Sequence, residues 1–296
     1  MIDPSPRAPL WLRIVRHPVV RLLLLGTLMF FTMGFSNSFQ EQLADRPLLA
    51  IAAAVGMVVL GLLVYAGFVR WVEGRRVSEL ALAPAGREFG IGLLGGAALY
   101  TACVLILMAL GDFRIDGLNP VSFLLPGVAM ALSSGFLEEL LFRGALFRIV
   151  EEWLGSWISI VVSSLVFGLA HLANPAATLE GALFISVEAG LLFAATFMLT
   201  RRLWLGIGVH VAWNYTQSAI FSGAVSGNEA APGLFRDTIQ GPTILTGGAF
   251  GVELSLVAFL LCTGAGIALL VMAIRRGHVV QPFWKRRDAA AGAGAA

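Results

Sequence analysis

Residues 120–143 read PVSFLLPGVAMALSSGFLEELLFR, an apolar run interrupted by the adjacent acids Glu138 and Glu139. An ionised carboxylate is costly in hydrocarbon, so acids within a membrane-spanning segment are read as functional by default. Two later apolar stretches carry polar side chains that could meet these acids, namely FGLAH at 167–171 and HVAWN at 210–214. The three stretches together predict a polar site inside a membrane.

The composition places the whole chain in the membrane class. Of its 296 residues, 58% are hydrophobic and only 13% are charged, and no stretch of useful size is left over for a soluble domain. The formal net charge of +2 is too small to indicate a nucleic-acid partner. We therefore expect a single integral membrane domain over 1–288, followed by a disordered Ala/Gly tail at 289–296.

Apolar windows of about 20 residues, the length that crosses a bilayer, predict an all-α polytopic protein of about eight helices around an intramembrane catalytic cavity. The predicted spans are 18–36, 48–70, 88–110, 120–142, 156–174, 180–200, 203–222 and 249–274. Glycines four residues apart, Gly92 with Gly96 and Gly247 with Gly251, suggest close helix packing. The connection 223–248 is expected to be an irregular cap.

The basic residues predict the orientation of these spans. With the N-terminus in the cytoplasm, 17 of the 20 Lys and Arg residues fall on the cytoplasmic side, and only Arg46, Arg114 and Arg236 fall outside. Short cytoplasmic loops are enriched in such residues, so this distribution favours both termini in the cytoplasm. The Arg- and Ala-rich composition suggests a bacterial cytoplasmic membrane.

Helix geometry can bring the polar motifs together. Gly155 is the natural turn between the fourth and fifth predicted spans, and Glu138 and His171 each lie about 25 Å from it. His210 and Asn214 are four residues apart and therefore share one helix face. The four side chains can thus converge at one depth, in the cytoplasmic half of the bilayer or near its middle.

These residue types suit hydrolysis. A carboxylate beside a neutral imidazole can hold and deprotonate a water, which assigns that step to Glu138 and His171. An imidazole N–H and an amide can stabilise the oxyanion that then develops, which assigns His210 and Asn214 to that role. Alternatively, Glu138, His171 and His210 could hold a divalent metal such as zinc. The residues leave both alternatives open, so no cofactor is certain.

Further polar residues have supporting interpretations. The i, i+4 spacing of Glu139 and Arg143 predicts an ion pair that neutralises the second acid, and Phe167 is expected to pack against His171 and set its rotamer. Glu188 either lines the same cavity or pairs with a neighbouring polar group. Glu253 is expected near the outer boundary, within reach of water. A purely structural ion-pair network around Arg143 is the alternative for the acid pair.

The three motifs, in this order, resemble those of the CPBP family of CAAX-protease and bacteriocin-processing membrane proteins, also called Abi. The resemblance covers roughly 120–220, and no motif position departs from the family pattern. It implies an intramembrane endopeptidase of eight helices, in which Glu138 and His171 activate water while His210 and Asn214 supply the oxyanion contacts. The family has been described both as metalloproteases and as glutamate-type proteases.

The resemblance also suggests partners. We expect membrane lipid and a peptide or lipidated protein substrate, and no nucleic acid. One alternative is a transporter or channel with Glu138, Glu139 and Glu188 along an ion path, and another is a pseudo-enzyme scaffold.

Overall fold

A computed structural model describes residues 9–286. The predicted Ala/Gly tail at 289–296 lies outside the described residues, and the proposed domain limits of 1–288 stay a prediction. The helices are α1 Leu10–Val15, α2 Pro18–Gln42, α3 Pro47–Gly67, α4 Ala85–Leu110, α5 Leu124–Glu139, α6 Arg148–Leu154, α7 Ser156–Ala170, α8 Leu179–Thr200, α9 Trp204–Tyr215, α10 Thr243–Thr246 and α11 Leu256–Arg275. The prediction of an all-α polytopic membrane protein is confirmed.

The count of eight spans was too high by one. Within 9–286, seven helical segments are long and apolar enough to cross a membrane. They are Pro18–Gln42, Pro47–Val72, Ala85–Leu110, Val121–Leu154, Ser156–Ala173, Leu179–Thr200 and Leu256–Arg275. The last begins later than expected, because Gly247 and Gly251 adopt positive φ angles of 79° and 106° in the preceding loop rather than packing in a helix.

The predicted span at 203–222 is instead a shorter buried helix. It comprises α9 and a π-helical turn, Thr216–Ile220, and nearly all of α9 is enclosed by its neighbours. It runs parallel to α4, because the backbone at Gly92 meets Gly208 while the backbone at Gly96 meets Val209. A side chain at either α4 glycine would collide with α9 backbone, which confirms the predicted close packing there.

The first and the last described residues lie at the same end of the helix bundle. Near the start, Arg16 donates to the carbonyl of Val72, and near the finish, Arg286 donates to the carbonyl of Glu152. Most of the ion pairs between helices also lie there, and we call this the arginine-rich end. The chain reaches the opposite end after α2, α4, α7 and α9.

The opposite end carries a small sheet that the sequence did not predict. Strand β1 (Phe113–Leu118) pairs antiparallel with β2 (Phe235–Ile239), from Phe113 opposite Ile239 to Leu118 opposite Phe235. The connection expected at 223–248 is irregular, as predicted, apart from β2, the short helix α10 and a 3₁₀ turn, and the chain from 221 to 255 folds over the ends of α8 and α9. Residues 221–255 are called the cap below.

The turn at Gly155 positions the first two motifs. Gly155 has a φ of 84°, a conformation that favours glycine, and it reverses the chain between α6 and α7. The two arms of the hairpin meet where Phe142 packs edge-on against Phe167, with ring centroids 5.0 Å apart. Phe142 lies one turn after Glu138 and Phe167 one turn before His171, so both motifs reach one level of the bundle.

Candidate active site

The acid pair lies where α5 passes into a π-helical segment. The α-helix ends at Glu139 and the wider π-helix covers Leu140–Phe147, a geometry that is rare and frequent at functional sites. Glu139 is buried and its Oε1 accepts from Arg143 Nη1 at 3.0 Å. The ion pair expected from the i, i+4 spacing is therefore present.

Arg143 is fully enclosed and makes further contacts. Its guanidinium carbon lies 4.3 Å from the ring centroid of Phe167 and 4.8 Å from that of Phe193. Its Nη2 donates at 3.4 Å to the carbonyl of Ala189 on α8. The cation thus joins the acid-bearing helix to the FGLAH motif and to α8.

Glu138 differs from its neighbour because no Lys or Arg within residues 9–286 forms an ion pair with it. Its Oε2 is buried and lacks a hydrogen-bond partner among the described residues. The nearest basic atom is Nε2 of His210, 3.8 Å away, which is too long for a hydrogen bond. The side chain keeps 18% of its surface exposed. Glu138 therefore offers a carboxylate oxygen that is free to accept a proton or a hydrogen bond.

His171 is held in one tautomer by the backbone. It opens a single 3₁₀ turn at the end of α7, and its Nδ1 lies 2.8 Å from the carbonyl oxygen of Phe167. A carbonyl can only accept, so Nδ1 carries the proton and Nε2 keeps its lone pair in the neutral ring. The Phe167 ring packs edge-on at 4.8 Å, in agreement with the expected packing role.

His210 lies between the two acids. Its Nδ1 is 3.2 Å from Oε1 of Glu139, while its Nε2 faces Glu138. The ring stacks on Phe193 with centroids 4.6 Å apart and is buried. Because Glu139 is paired with Arg143 and so accepts, Nδ1 of His210 acts as the donor.

Asn214 follows His210 by one turn and is held by a residue that the sequence reasoning missed. Its Nδ2 donates to Oγ of Ser134 at 2.8 Å, and that hydroxyl donates to the carbonyl of Met130 at 2.9 Å. Ser134 lies four residues before Glu138 on the same helix face. That spacing was the signal that could have identified it.

A small cavity brings together most of the predicted site residues. It measures about 30 Å³, and His171, His210, Asn214 and Glu188 all border it. Of the two interpretations of Glu188, the structure shows the cavity-lining one. Glu138 and Glu139 lie beside the cavity through their contacts with His210.

The sequence-based prediction for the position of Glu253 was wrong. It was expected near water, but it is buried and borders the same cavity. Its Oε1 accepts from Trp213 Nε1 at 3.0 Å, and its Oε2 accepts from the backbone N and Oγ of Ser226 at 2.6 and 2.8 Å. The cap folds inward and carries Glu253 with it, which the position of this acid next to an apolar span could not reveal.

The alternative metal set was Glu138, His171 and His210. Across residues 9–286, no three His, Cys, Asp or Glu side chains are grouped so that they could hold a metal ion. The Nδ1 atoms of the two imidazoles are engaged by Phe167 and Glu139, which leaves each Nε2 available as a ligand, but among residues 9–286 Glu138 lies within 4 Å of His210 and not of His171. The geometry does not fit a three-ligand site, and no step below uses a metal.

The fold and site together define a helical membrane protein with an enclosed group of acid, imidazole and amide side chains. Residues 120–216, which contain all three motifs, match the family model described as type II CAAX prenyl endopeptidase Rce1-like. This match covers about a third of the chain, agrees with the CPBP resemblance and, at the level of the family, supports a membrane peptidase. No curated protein and no solved structure matched the chain.

Proposed function

We propose that this protein hydrolyses a peptide bond of a membrane-associated or lipidated substrate, with a water activated by Glu138 and His171. The observation that carries the proposal is the buried Oε2 of Glu138, which has no hydrogen-bond partner among the described residues although it lies beside an imidazole. Such an atom is costly to bury unless it receives a proton or a hydrogen bond during function. The family match supports the same class of reaction.

The activating groups are two acceptors. The lone pair on His171 Nε2 can take a hydrogen bond from one O–H of the water, and the Glu138 carboxylate can remove the other proton. The oxygen then adds to the carbonyl carbon of the substrate. Collapse of the tetrahedral intermediate breaks the C–N bond, and the proton held by Glu138 passes to the leaving amine.

The negative oxygen of that intermediate needs donors. One N–H of Asn214 is used by Ser134, which leaves the second N–H available for the oxyanion. His210 can donate from Nε2 only when both its ring nitrogens are protonated, because its Nδ1–H is directed to Glu139. We assign both residues to this role, with His210 acting as an imidazolium.

Glu139 and Arg143 have a supporting role in this scheme. Their ion pair neutralises one of the two adjacent acids, so that Glu138 alone acts as the base. The contacts of Arg143 with Phe167 and with the Ala189 carbonyl fix the rotation of the acid-bearing helix relative to α7 and α8.

The location of the site supports the proposed substrate and membrane partners. A cavity enclosed by apolar helices suits a peptide that carries a lipid or an apolar segment. We further propose that the arginine-rich end faces the cytoplasm of a bacterial cell, because basic residues concentrate on that side of membranes. Both termini then lie in the cytoplasm.

The test compares purified wild type with Glu138→Gln and His171→Ala on a library of lipidated and amphipathic peptides. Glu180→Gln is a matched control, because Glu180 lies on the exposed first turn of α8. We expect cleavage by wild type and the control, and loss of about 10² to 10⁴ in rate for each site variant. Equal cleavage by all four proteins would remove the catalytic assignment.

A further inference from the structure

Glu188 is a buried acid that the proposed mechanism does not use. It lies on α8 with only 2% of its surface exposed, and its side chain borders the cavity that holds His171 and His210. Its Oε2 has no hydrogen-bond partner among the described residues. Burial of a carboxyl oxygen without a partner is unfavourable, and a ligand that donates a hydrogen bond to it would offset this cost.

The charges around Glu188 favour a cation. Glu253 borders the same cavity, and its three donors, Trp213 Nε1 and the two groups of Ser226, stabilise it as a carboxylate. No Lys or Arg is among the described residues that line the cavity. The nearby cation Arg143 is already bonded to Glu139 and to a backbone carbonyl.

The walls and the size of the cavity narrow the choice of cation. Phe167, Phe193 and Trp213 border it, and aromatic rings attract cations. The cavity, with a volume of about 30 Å³, has room for a group about the size of a water molecule. A compact ammonium matches that space, whereas a planar guanidinium is larger and needs a wider site.

We propose that Glu188, assisted by Glu253, forms a subsite that binds the primary ammonium of a lysine side chain next to the scissile bond. The inference rests on the proposed function and adds the class of substrate residue. The ammonium displaces water from the cavity and donates to the unpartnered Glu188 oxygen. The aliphatic stem of the lysine lies against the aromatic walls.

The test uses three otherwise identical lipidated peptides that carry lysine, norleucine or arginine at one position, scanned on both sides of the cleaved bond. Wild type is expected to cleave the lysine peptide with a kcat/KM about 10- to 100-fold above that of the norleucine and arginine peptides at one position. Glu188→Gln is expected to treat lysine and norleucine alike. The control Glu180→Gln keeps the wild-type ratio.

The outcomes separate this inference from the proposed function. Cleavage of all three peptides at equal rates by wild type, or a lysine preference that survives in Glu188→Gln, would overturn the subsite and leave the peptidase intact. Absence of cleavage of any peptide would instead count against the peptidase. If Glu188→Gln does not fold, Glu188→Asp replaces it, and a reduced lysine-to-norleucine ratio is then expected because the carboxylate is withdrawn by one methylene.

Discussion

Two groups of buried charges in this protein differ in how completely they are paired. At the arginine-rich end, Glu73 receives Arg21 and Arg148 on Oε1, at 2.7 and 2.9 Å, and Arg75 on Oε2 at 2.7 Å. In the site, Glu138 and Glu188 each keep a buried carboxylate oxygen that has no hydrogen-bond partner within the described part of the chain. The chain therefore satisfies Glu73 completely at the arginine-rich end, whereas two of the four acids in the site, Glu138 and Glu188, keep an open oxygen.

The difference separates structural from functional acids. Glu73 and Glu152 bind Arg21 and Arg148. These ion pairs hold α2, the end of α3 and α6 against one another, so they stabilise the packing of the helices. The open oxygens of Glu138 and Glu188 make no hydrogen bond to other residues in 9–286, and the two side chains lie beside the imidazoles or on the cavity. A burial analysis alone would rank both groups alike, whereas their hydrogen-bond partners distinguish them.

Arg148→Met, which removes ion pairs at the arginine-rich end, should have the largest effect on stability. It leaves Glu73 and Glu152 with one fewer cation in a buried setting, and we expect a loss of about 3–5 kcal/mol in the free energy of unfolding. Chemical denaturation in detergent micelles measures this. Arg114→Met, which removes an exposed pair with Asp116, should change stability by less than about 1 kcal/mol. Equal effects would contradict the structural role.

Asn214→Ala should instead lower the activity of the candidate active site. Removal of an oxyanion donor lowers kcat by about 10² to 10³ while stability changes little. Steady-state cleavage of a lipidated peptide gives kcat and KM separately. The exposed Asn228→Ala provides the control and should retain wild-type kcat. A rise in KM alone would assign Asn214 to substrate binding rather than to the transition state.

Ser134→Ala should lower kcat less than Asn214→Ala does. Ser134 is a positioning residue, because it holds the Asn214 amide, and its loss should lower kcat about tenfold with KM unchanged. The neighbouring Ser133→Ala is the matched control, since Ser133 accepts from Ser36 on α2 and faces away from the site. That variant should lower stability slightly and leave kcat intact. The reverse pattern would show that the Ser134 contact has no catalytic use.

The smallest expected effect is the pH dependence of stability, which depends on Glu73 at the arginine-rich end. Burial acts to raise the pKa of Glu73, but Arg148 and Arg21 outweigh it and hold the pKa below its ordinary value of 4.5. Its contribution is then complete above pH 4.5 and is lost as pH falls through the lower folded-state pKa. Unfolding free energies measured from pH 3 to 7 should fall at the acid end. Glu73→Gln should flatten that fall, and an unchanged profile would contradict the assignment.

The sequence predicted the motifs better than their surroundings. The spacing of the acid pair, of Arg143 and of the Gly155 turn was enough to predict the ion pair and the hairpin, because helix periodicity fixes such local relations. The burial of Glu253 and its contact with Ser226 were not predicted, because both residues reach the cavity through the irregular cap, whose path no periodicity determines. The count of spans failed at α9, because a helix enclosed by other helices need not match the length of a bilayer crossing.

Glu138, which has an open oxygen, is proposed to take part in the reaction, whereas the fully paired Glu73 maintains the structure. The most direct test of this claim measures cleavage of one lipidated peptide by wild type, Glu138→Gln and Glu73→Gln, each rate being divided by the folded fraction of its preparation. We predict that Glu73→Gln retains the wild-type rate per folded molecule and that Glu138→Gln loses at least about 100-fold. Retention of the rate in Glu138→Gln, or an equal loss in both variants, would contradict the account.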